Sequence, residues 1–305
     1  MIGKRRFVLV DVFADRPLSG NPLAVFPEAE GLSPETMQSL AREMDHAATA
    51  FLTPSRLPGA AFRLFIFSRD REIPFAGHPA LGAHFVHAAE TGLALSEPVT
   101  RAAHEGTGGL VRVELRVHAG RVTLLRLTQP APAFGPRLAA PAVERLGQAL
   151  GVEEERIQAT NQPVQEVSTG LPVLVVPVAT LKDLQEARPR FDQLRGVLEE
   201  DGAPIVCAFT KETIAADSAA HARVFDARGA AEIPGAGAAA GALAAYLVAN
   251  AAVTVTPVTS LVVEQGHALG RPSTVFAEVH VRRAAVAHVV VGGRVMRVGE
   301  GAVEL

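Results

Sequence analysis

The chain of 305 residues is poor in cysteine and in aromatic side chains. Its one cysteine, Cys207, cannot form an intramolecular disulfide, and a racemase mechanism that needs two cysteines is excluded. There is no tryptophan, one tyrosine and no run of Lys or Arg, so the sequence offers neither a base-stacking platform nor a surface that tracks phosphates. With a formal net charge of −3, nucleic acid is not an expected partner.

Long hydrophobic runs are absent as well. The longest candidate, residues 238–252, is interrupted by Gly241, Tyr246 and Asn250, so it predicts a buried helix rather than a membrane span. The first residues enter a strand-like alternation and lack the apolar core of a signal peptide. Hydrophobic residues make up 48% of the chain and charged residues 20%, which is typical of a globular enzyme. We therefore expect a cytoplasmic protein that does not bind membranes.

Strand-like segments are what the sequence has in abundance. Several of them alternate apolar and polar residues, as half-buried antiparallel strands do. At residues 289–296, Gly292 and Gly293 predict the tight turn of a hairpin. The predicted strands cover residues 6–13, 61–67, 110–117, 121–127, 171–178, 204–209, 252–258, 275–281 and 287–291.

Three helices stand out. Ser33 is the expected N-cap of the first, with Pro34 at its first position and one apolar stripe along its length. The helices over residues 79–90 and 238–249 are apolar almost all round, which predicts that strands enclose each of them. Together with the strands, they predict an α+β fold.

The two enclosed helices begin alike, with GHPALGA at residues 77–83 and GAAAGALA at 237–244. The simplest interpretation is two similar halves, each with a curled, largely antiparallel sheet around one central helix. Three prolines within residues 129–136 mark the linker. The predicted domains are residues 1–130 and 131–293, with the strand near 294–305 as a candidate to return to the first domain.

Both helix starts could bind an anion. A helix N-terminus presents unpaired backbone N–H groups, and a neighbouring glycine lets a carboxylate approach closely. If the two halves face each other, Gly77 and Gly237 would border a cleft for such a group; equally, these glycines could serve only as turn formers. His78 is the only titratable side chain at either start, and it could exchange protons or merely cap its helix.

The sequence offers weaker signals for other kinds of functional site. The glycines of residues 235–241 loosely resemble a dinucleotide fingerprint, but no acidic residue follows about 20 positions later, so a nicotinamide-dependent oxidoreductase is a distant alternative. Cys207 lies in an apolar run and is predicted to be a core residue. No spacing of His, Cys or Asp predicts a metal site.

Motifs in the order of a known family run along nearly the whole chain. In the first half they are VDVF at residues 10–13, RPLSGNPLAVF at 16–26, MQSLAREM at 37–44 and EIPFAGHPALG at 72–82. The second half adds TGLP at 169–172, RVF at 223–225, QG at 265–266 and GRPS at 270–273. With these motifs the chain resembles the PhzF-like proteins of phenazine biosynthesis, in the diaminopimelate-epimerase superfamily.

The resemblance implies the diaminopimelate-epimerase fold, with two pseudo-symmetric domains, a site in the cleft between them, a homodimer and no cofactor. The family's founding activity isomerises dihydrohydroxyanthranilate by moving a proton along an allylic system. The leading hypothesis is therefore a cofactor-independent isomerase of specialised metabolism, such as antibiotic biosynthesis, that acts on a small carboxylic acid or an unsaturated amino or imino acid. The alternative is a non-catalytic binding protein of the same fold.

The chain departs from this family at the acid and base positions. Where the family usually reads NLSET, residues 45–49 read DHAAT, so Ala48 replaces the proton-shuttling Glu. Where the family usually reads EDPATGSA, residues 232–239 read EIPGAGAA, so Ile233 replaces the acid and Ala238 the hydroxyl. A methyl group neither gives nor takes a proton, so the founding mechanism does not carry over unchanged.

Three side chains could replace the lost carboxylates: His78, which matches the family's His and ranks first, and the neighbours Asp45 and His46. Glu232 matches the family's Glu, although its side chain could point away from the cleft. The predicted substrate-binding residues are Asn21, Ala48, Gly77, Glu232, Ile233, Gly237 and Ala238.

Overall fold

The computed structural model describes residues 3–73, 77–91, 93–201, 203 and 205–305. The chain forms two compact units. Unit 1 comprises Met1–Thr128 together with Gly292–Leu305, and unit 2 comprises Gln129–Val291. The C-terminal residues thus belong to the same unit as the N-terminal half. None of the described helices has the length and apolar character needed to cross a membrane.

Unit 1 is built on a mixed sheet with two longer helices. Strand β1 pairs antiparallel with both β2 and β17, while β2 and β3 are parallel, as are β4 and β5. The pairings from β3 to β4 and from β5 through β7 are antiparallel. The elements are β1 (Arg5–Val12), β2 (Asn21–Phe26), α1 (Pro34–Met44), β3 (Thr49–Thr53), β4 (Arg63–Phe67), α2 (His78–Glu90), β5 (Val99–Gly106), β6 (Gly109–His118), β7 (Arg121–Thr128) and β17 (Val295–Val303).

The sheet of unit 2 also contains both parallel and antiparallel pairings. Strands β10 and β11 run parallel, as do β12 and β14, and the remaining pairings between β8 and β15 are antiparallel among the residues described. Its elements are β8 (Ala133–Arg137), α3 (Ala140–Leu150), α4 (Glu154–Gln158), β9 (Gln165–Ser168), β10 (Pro172–Pro177), α5 (Leu181–Glu186), α6 (Phe191–Asp201), β11 (Ile205–Thr210), β12 (Ala220–Asp226), β13 (Ala231–Ile233), α7 (Gly237–Ala249), β14 (Val258–Gln265), a 3₁₀ turn (His267–Leu269), β15 (Ser273–Arg282) and β16 (Ala285–Gly293).

The three predicted helices are confirmed. In α1, Ser33 accepts a hydrogen bond from the backbone N–H of Thr36 at 3.2 Å, and Met37, Leu40 and Ala41 form its buried stripe. Helix α2 is buried at most of its positions, and α7 is buried from its first residue through Val248. Both are therefore enclosed helices, as their uniform apolar character predicts.

Four helices between residues 140 and 201 were not predicted. The first of them, α3, has Pro141 in its first turn and is capped by Gly151, which adopts a left-handed conformation with φ of 70°. Its buried residues, including Val143, Leu146 and Leu150, pack in the main apolar cluster of unit 2. Proline at the start and glycine at the end are ordinary helix signals, so this helix could have been found from the sequence.

Two strand predictions are wrong. Residues 252–257 form no strand, and the strand begins only at Val258. The hairpin turn is also absent, because Gly292 and Gly293 lie in β16 without positive φ, and β17 pairs with β1. A Cβ on Gly293 would lie 2.4 Å from Cδ1 of Phe13, so glycine is needed there for close packing rather than for a turn.

Candidate functional site

Helix α2 places His78 at one end of the unit 1 sheet. At the other end of the helix, Glu90 pairs with Arg6 near the start of β1, with 2.7 Å between the charged atoms. One turn after His78, a Cβ on Gly82 would lie 3.3 Å from Cγ2 of Val12, at the end of β1. The helix therefore runs antiparallel to β1, and its N-terminus lies beyond the point where β1 ends.

The same end of the sheet holds two further predicted residues. Asn21 opens β2 and pairs with Val12, the last residue of β1. Strand β3 runs parallel to β2 with Thr49 opposite Ala24, so Ala48 lies just before β3 begins, at the edge where β2 also begins. Asn21 and Ala48 are both buried. Unit 1 thus brings Asn21, Ala48 and His78 to one edge.

His78 is the predicted titratable residue at this edge. It is the first residue of α2, Gly77 is the N-cap, and no side chain caps the helix. The ring Nε2 is buried and has no hydrogen-bond partner among the described residues. Burial lowers the pKa of His78 to about 4, so the imidazole is neutral at neutral pH. Residues 74–76 of the EIPFAGHPALG motif lie outside the described residues.

Asp45 and His46 occupy a different setting. Asp45 is the C-cap of α1 in a left-handed conformation, with φ of 50°. Its carboxylate is exposed and lies 3.2 Å from a guanidinium nitrogen of Arg69. His46 is half-buried in the turn that leads to β3. A role for either side chain in proton transfer stays a prediction, and an exposed carboxylate in a surface ion pair is the less suited of the two.

In unit 2, two glutamines support the start of α7. Oε1 of Gln265 accepts a hydrogen bond from the N-cap Ala236 at 2.7 Å, and Nε2 of Gln129 donates one to the carbonyl of Gly237 at 3.0 Å. Gly237 and Ala238 are both buried. No local pattern points to Gln129, because its partner Gly237 lies 108 residues away in the chain.

Glu232 and Ile233 lie on the short strand β13, and both are half-buried. The Glu232 carboxylate accepts two hydrogen bonds from Arg223, from Nε at 3.0 Å and from Nη2 at 2.8 Å. Arg223 also donates to the carbonyls of Leu184 and Ala187. Glu232 therefore forms a two-pronged ion pair within unit 2. Both oxygens of its carboxylate are bonded to Arg223, and a role for Glu232 in substrate binding stays a prediction.

The candidate residues of the two units differ in whether they can ionise. In unit 1, His78 has a buried ring nitrogen without a partner among the described residues, and an imidazole can move a proton. In unit 2, the start of α7 presents backbone groups of the kind that bind a carboxylate, and the side chains of Ile233 and Ala238 do not ionise.

The chain is similar to known proteins over nearly its whole length. A family model described as phenazine biosynthesis-like protein matches residues 10–301. An uncharacterized isomerase of Mesorhizobium japonicum is 31% identical over 97% of this chain and 98% of its own length. The trans-2,3-dihydro-3-hydroxyanthranilate isomerase of Pseudomonas fluorescens is 31% identical over 98% of this chain and 99% of its own length.

Among solved structures, a PhzF-family phenazine biosynthesis protein of Bacillus anthracis superposes with a TM-score of 0.89 at 24% identity, covering 99% of both chains. That likeness shows the fold. The names of the curated relatives support a small-molecule isomerase role. Because the family model and both relatives cover nearly all of the sequence, the chain belongs to the phenazine biosynthesis-like (PhzF) family.

Proposed function

We propose that this protein is a cofactor-independent isomerase that moves one proton on a small carboxylic acid or an unsaturated amino or imino acid, bound in the interdomain cleft that the resemblance implies. The observation that carries the proposal is His78, whose buried Nε2 has no partner among the described residues. A buried nitrogen without a partner lacks the hydrogen bond that water would give it, and a substrate proton would supply one at a residue that can move protons.

The neutral state of His78 defines its part in the reaction. With its pKa lowered to about 4, the imidazole accepts a proton only while the reaction makes one available, and the buried imidazolium then gives it up readily. Such a group returns the proton to another atom of the same substrate. A conjugated imine or enamine acid suits this chemistry, because its own acidity lowers the demand on a weak base.

The replaced positions favour an apolar substrate surface. Ala48 is buried beside the start of β3, where the family's usual Glu would add a charge. Ile233 is half-buried on β13 in place of the usual acid. Both positions would accept a less polar or bulkier substrate than dihydrohydroxyanthranilate, and the backbone at the start of α7 would hold its carboxylate.

The second candidate is a binding protein of the same fold that performs no chemistry. The joint replacement of the two carboxylates and the hydroxyl by Ala48, Ile233 and Ala238 favours it. His78 distinguishes the two functions, because a binding protein should keep its ligand affinity without His78 and has no turnover to lose.

The test is proton exchange followed by NMR in deuterated buffer, with a panel of unsaturated amino acids and cyclic imino acids. Wild-type protein is compared with His78→Ala, and with His118→Ala as a control at an exposed strand end. Deuterium incorporation that disappears only in His78→Ala supports the proposal. Exchange that persists in His78→Ala but is lost in His46→Ala moves the shuttle to His46, and ligand binding without exchange supports the binding protein.

A homodimer is a further part of this proposal, because the resemblance implies one. Light scattering coupled to size-exclusion chromatography tests it directly. A mass near twice the 32.0 kDa of the chain is expected, and a mass that stays at one chain across a concentration series would exclude the dimer.

A further inference from the structure

Unit 2 brings together three metal-binding side chains from separate elements. His221 lies on β12, Glu264 on β14, and His267 in the 3₁₀ turn after β14. One potential ligand atom from each side chain lies within 4.8 Å of the others. This is the one such group of three His, Cys, Asp or Glu side chains found in the part of the chain that the structure describes. Sequence spacing does not reveal it, because two of its members lie 43 residues apart.

Glu264 is held in a fixed orientation. Its Oε2 accepts hydrogen bonds from the backbone of Ile214 at 3.0 Å and from Nδ1 of His221 at 2.9 Å, and its Oε1 accepts one from the backbone of Ala215 at 2.6 Å. Ser218 contributes a further hydrogen bond. Both Glu264 and His221 are buried. The carboxylate therefore keeps its position whether or not a ligand is present.

The contact with Glu264 also sets the tautomer of His221. Because Nδ1 faces a carboxylate oxygen, Nδ1 carries the proton and Nε2 keeps its lone pair. Histidine ligands of metal ions are commonly oriented in this way, with the second ring nitrogen donating to a carboxylate. His221 thus has the arrangement of a histidine prepared to bind a metal through Nε2.

His267 supplies the second imidazole. Its ring centroid lies 5.0 Å from that of His221. Its Nδ1 is buried and has no hydrogen-bond partner among the described residues. A buried ring nitrogen without a partner loses the hydrogen bond that water would give it, and a bound ion would remove that cost.

We propose that His221, Glu264 and His267 form a site for one divalent transition-metal ion of the zinc class. Two imidazoles and a carboxylate suit zinc and its neighbours, whereas calcium and magnesium prefer sites built from oxygen. Glu264 would act as the orienting partner of His221, with Nε2 of His221 and a ring nitrogen of His267 as the protein ligands. Two protein ligands leave positions for water.

Binding requires a small contraction of the cluster. Ligand atoms on a tetrahedral zinc ion lie roughly 3.4 Å apart, given Zn–N distances of about 2.0–2.1 Å. His267 can supply the movement, because its turn lies between Gly266 and Gly270, both with positive φ. His221 and Glu264 would stay in place within the sheet.

The proposed ion would stabilise the loop that supports α7. Gln265, whose side chain accepts the hydrogen bond of Ala236 before α7, lies between Glu264 and His267. An ion held by His267 and by His221, which Glu264 orients, would fix Gln265 through its neighbours in the chain. The predicted effect is therefore on the stability of unit 2 and on the order of the α7 start, independently of the proton transfer at His78.

The test uses the full chain freed of metal by dialysis against a chelator. Zn²⁺ binding is measured by calorimetry, Co²⁺ binding by its visible absorption, and the melting temperature with and without Zn²⁺. We expect one Zn²⁺ per chain and a higher melting temperature. His267→Ala and His267→Gln should weaken binding at least about tenfold, whereas His118→Ala, at an exposed strand end, should bind as the wild type does.

A second control addresses the other close histidine pair of unit 2. The rings of His280 and His288 stack with centroids 4.2 Å apart on neighbouring strands. If His288→Ala loses the ion and both His267 variants keep it, the proposed site is wrong. Equal affinities for the wild type and both His267 variants, with circular dichroism showing all three folded, would overturn it too, as would the absence of saturable binding to the wild type.

Discussion

At the scale of single residues, the ion pair between Arg223 and Glu232 defines what Glu232 can do. The two side chains are only 8% and 10% exposed, so neither charge has water as an alternative partner. Replacing Glu232 by Gln leaves the guanidinium buried without a counter-charge. We expect Glu232→Gln to lower the free energy of unfolding by about 3–5 kcal/mol, measured by urea denaturation.

The matched control is Asp45→Asn, which removes a charge from an exposed pair with Arg69. Asparagine tolerates the left-handed conformation of residue 45, and exposed pairs contribute about 0–1 kcal/mol. Similar losses in the two variants would show that Glu232 is not a structural ion-pair partner, and its assignment to substrate binding would then regain support.

Gly241 is a second residue whose identity is fixed by a neighbour. A Cβ at this position of α7 would lie 1.8 Å from Oε1 of Gln129, the side chain that donates to the carbonyl of Gly237. We expect Gly241→Ala to destabilise the protein by about 1–3 kcal/mol because Gln129 must move. Gly196→Ala, in α6, meets no atom within 4 Å and should be neutral or stabilising in the same denaturation assay. The reverse order of the two variants would contradict this packing.

At the scale of elements, a pair of histidines joins α2 to β5. Nε2 of His84 and Nδ1 of His104 lie 3.0 Å apart, and both rings are fully buried beside Phe62. Burial is the main cause that lowers both pKa values, to about 4 for His104. Two neutral imidazoles can share one hydrogen bond, whereas two imidazolium ions cannot.

Because both histidines are neutral in the folded protein, we expect the stability of unit 1 to fall at acid pH. In the unfolded chain a histidine takes up a proton near its usual pKa of 6.5, while in the folded protein it does so only near pH 4. The unfolded state therefore binds more protons, and stability falls as the pH drops from about 6.5 towards 4. We expect His104 alone to cost about 2 kcal/mol of stability between pH 7 and pH 5, and His84 to add to that loss, measured by denaturation at each pH.

The control for this pH dependence is the double variant His84→Leu/His104→Leu, which keeps an apolar packing volume and removes both titrating groups. Its stability should change less between pH 7 and pH 5 than that of the wild type. His78 also has a lowered pKa and remains in the variant, so a smaller slope is expected rather than none. An unchanged slope would show that other groups cause the acid sensitivity.

Local chemistry explains which elements the sequence predicts. Helix α1 was predictable because Ser33 and Pro34 are start signals that act within one turn. Helix α7 was predictable because uniform apolar character requires enclosure. The turn at Gly292 and Gly293 was mispredicted because the reason for glycine there is a distant contact with Leu125 and Phe13.

The same distinction applies to the candidate site. His78 was singled out as the titratable side chain at the start of an enclosed helix, and the resemblance to a known family then ranked it first; its position as the first residue of α2 confirms the predicted helix. The edge shared by Asn21 and Ala48 follows from the parallel pairing of β2 with β3, which local sequence does not encode. The cluster around Glu264 depends on the pairing of β12 with β14 and was missed for the same reason.

At the scale of the whole molecule, one unit is continuous in sequence and the other is not. Unit 2 is one continuous segment, residues 129–291, whereas unit 1 needs the distant strand β17 beside β1. We predict that residues 129–291 expressed alone form a folded protein with dispersed NMR amide signals. Removal of residues 295–305 should instead unfold unit 1, because the ladder with β1 and the partners of Arg6 and Glu90 on β17 are lost.

Hydrogen exchange on the truncated chain provides the control for that comparison. Amides of β10 and β11 should remain protected while those of β1 and β2 exchange rapidly. Protection of β1 equal to that in the full chain would show that β17 is dispensable, and an unfolded 129–291 fragment would show that unit 2 depends on unit 1.

The return of β17 to β1 also orders events during synthesis. As the ribosome adds residues from the N-terminus onward, β1 emerges long before its partner β17, and residues 129–291 emerge in between. Unit 2 can therefore fold while the nascent chain is still growing, although its residues are synthesised later than most of unit 1. Unit 1 cannot complete its sheet until β17 is made, so one edge of β1 stays unpaired until then. A waiting edge is a template for wrong pairing, so in a cell this unit is where chaperone contacts should concentrate.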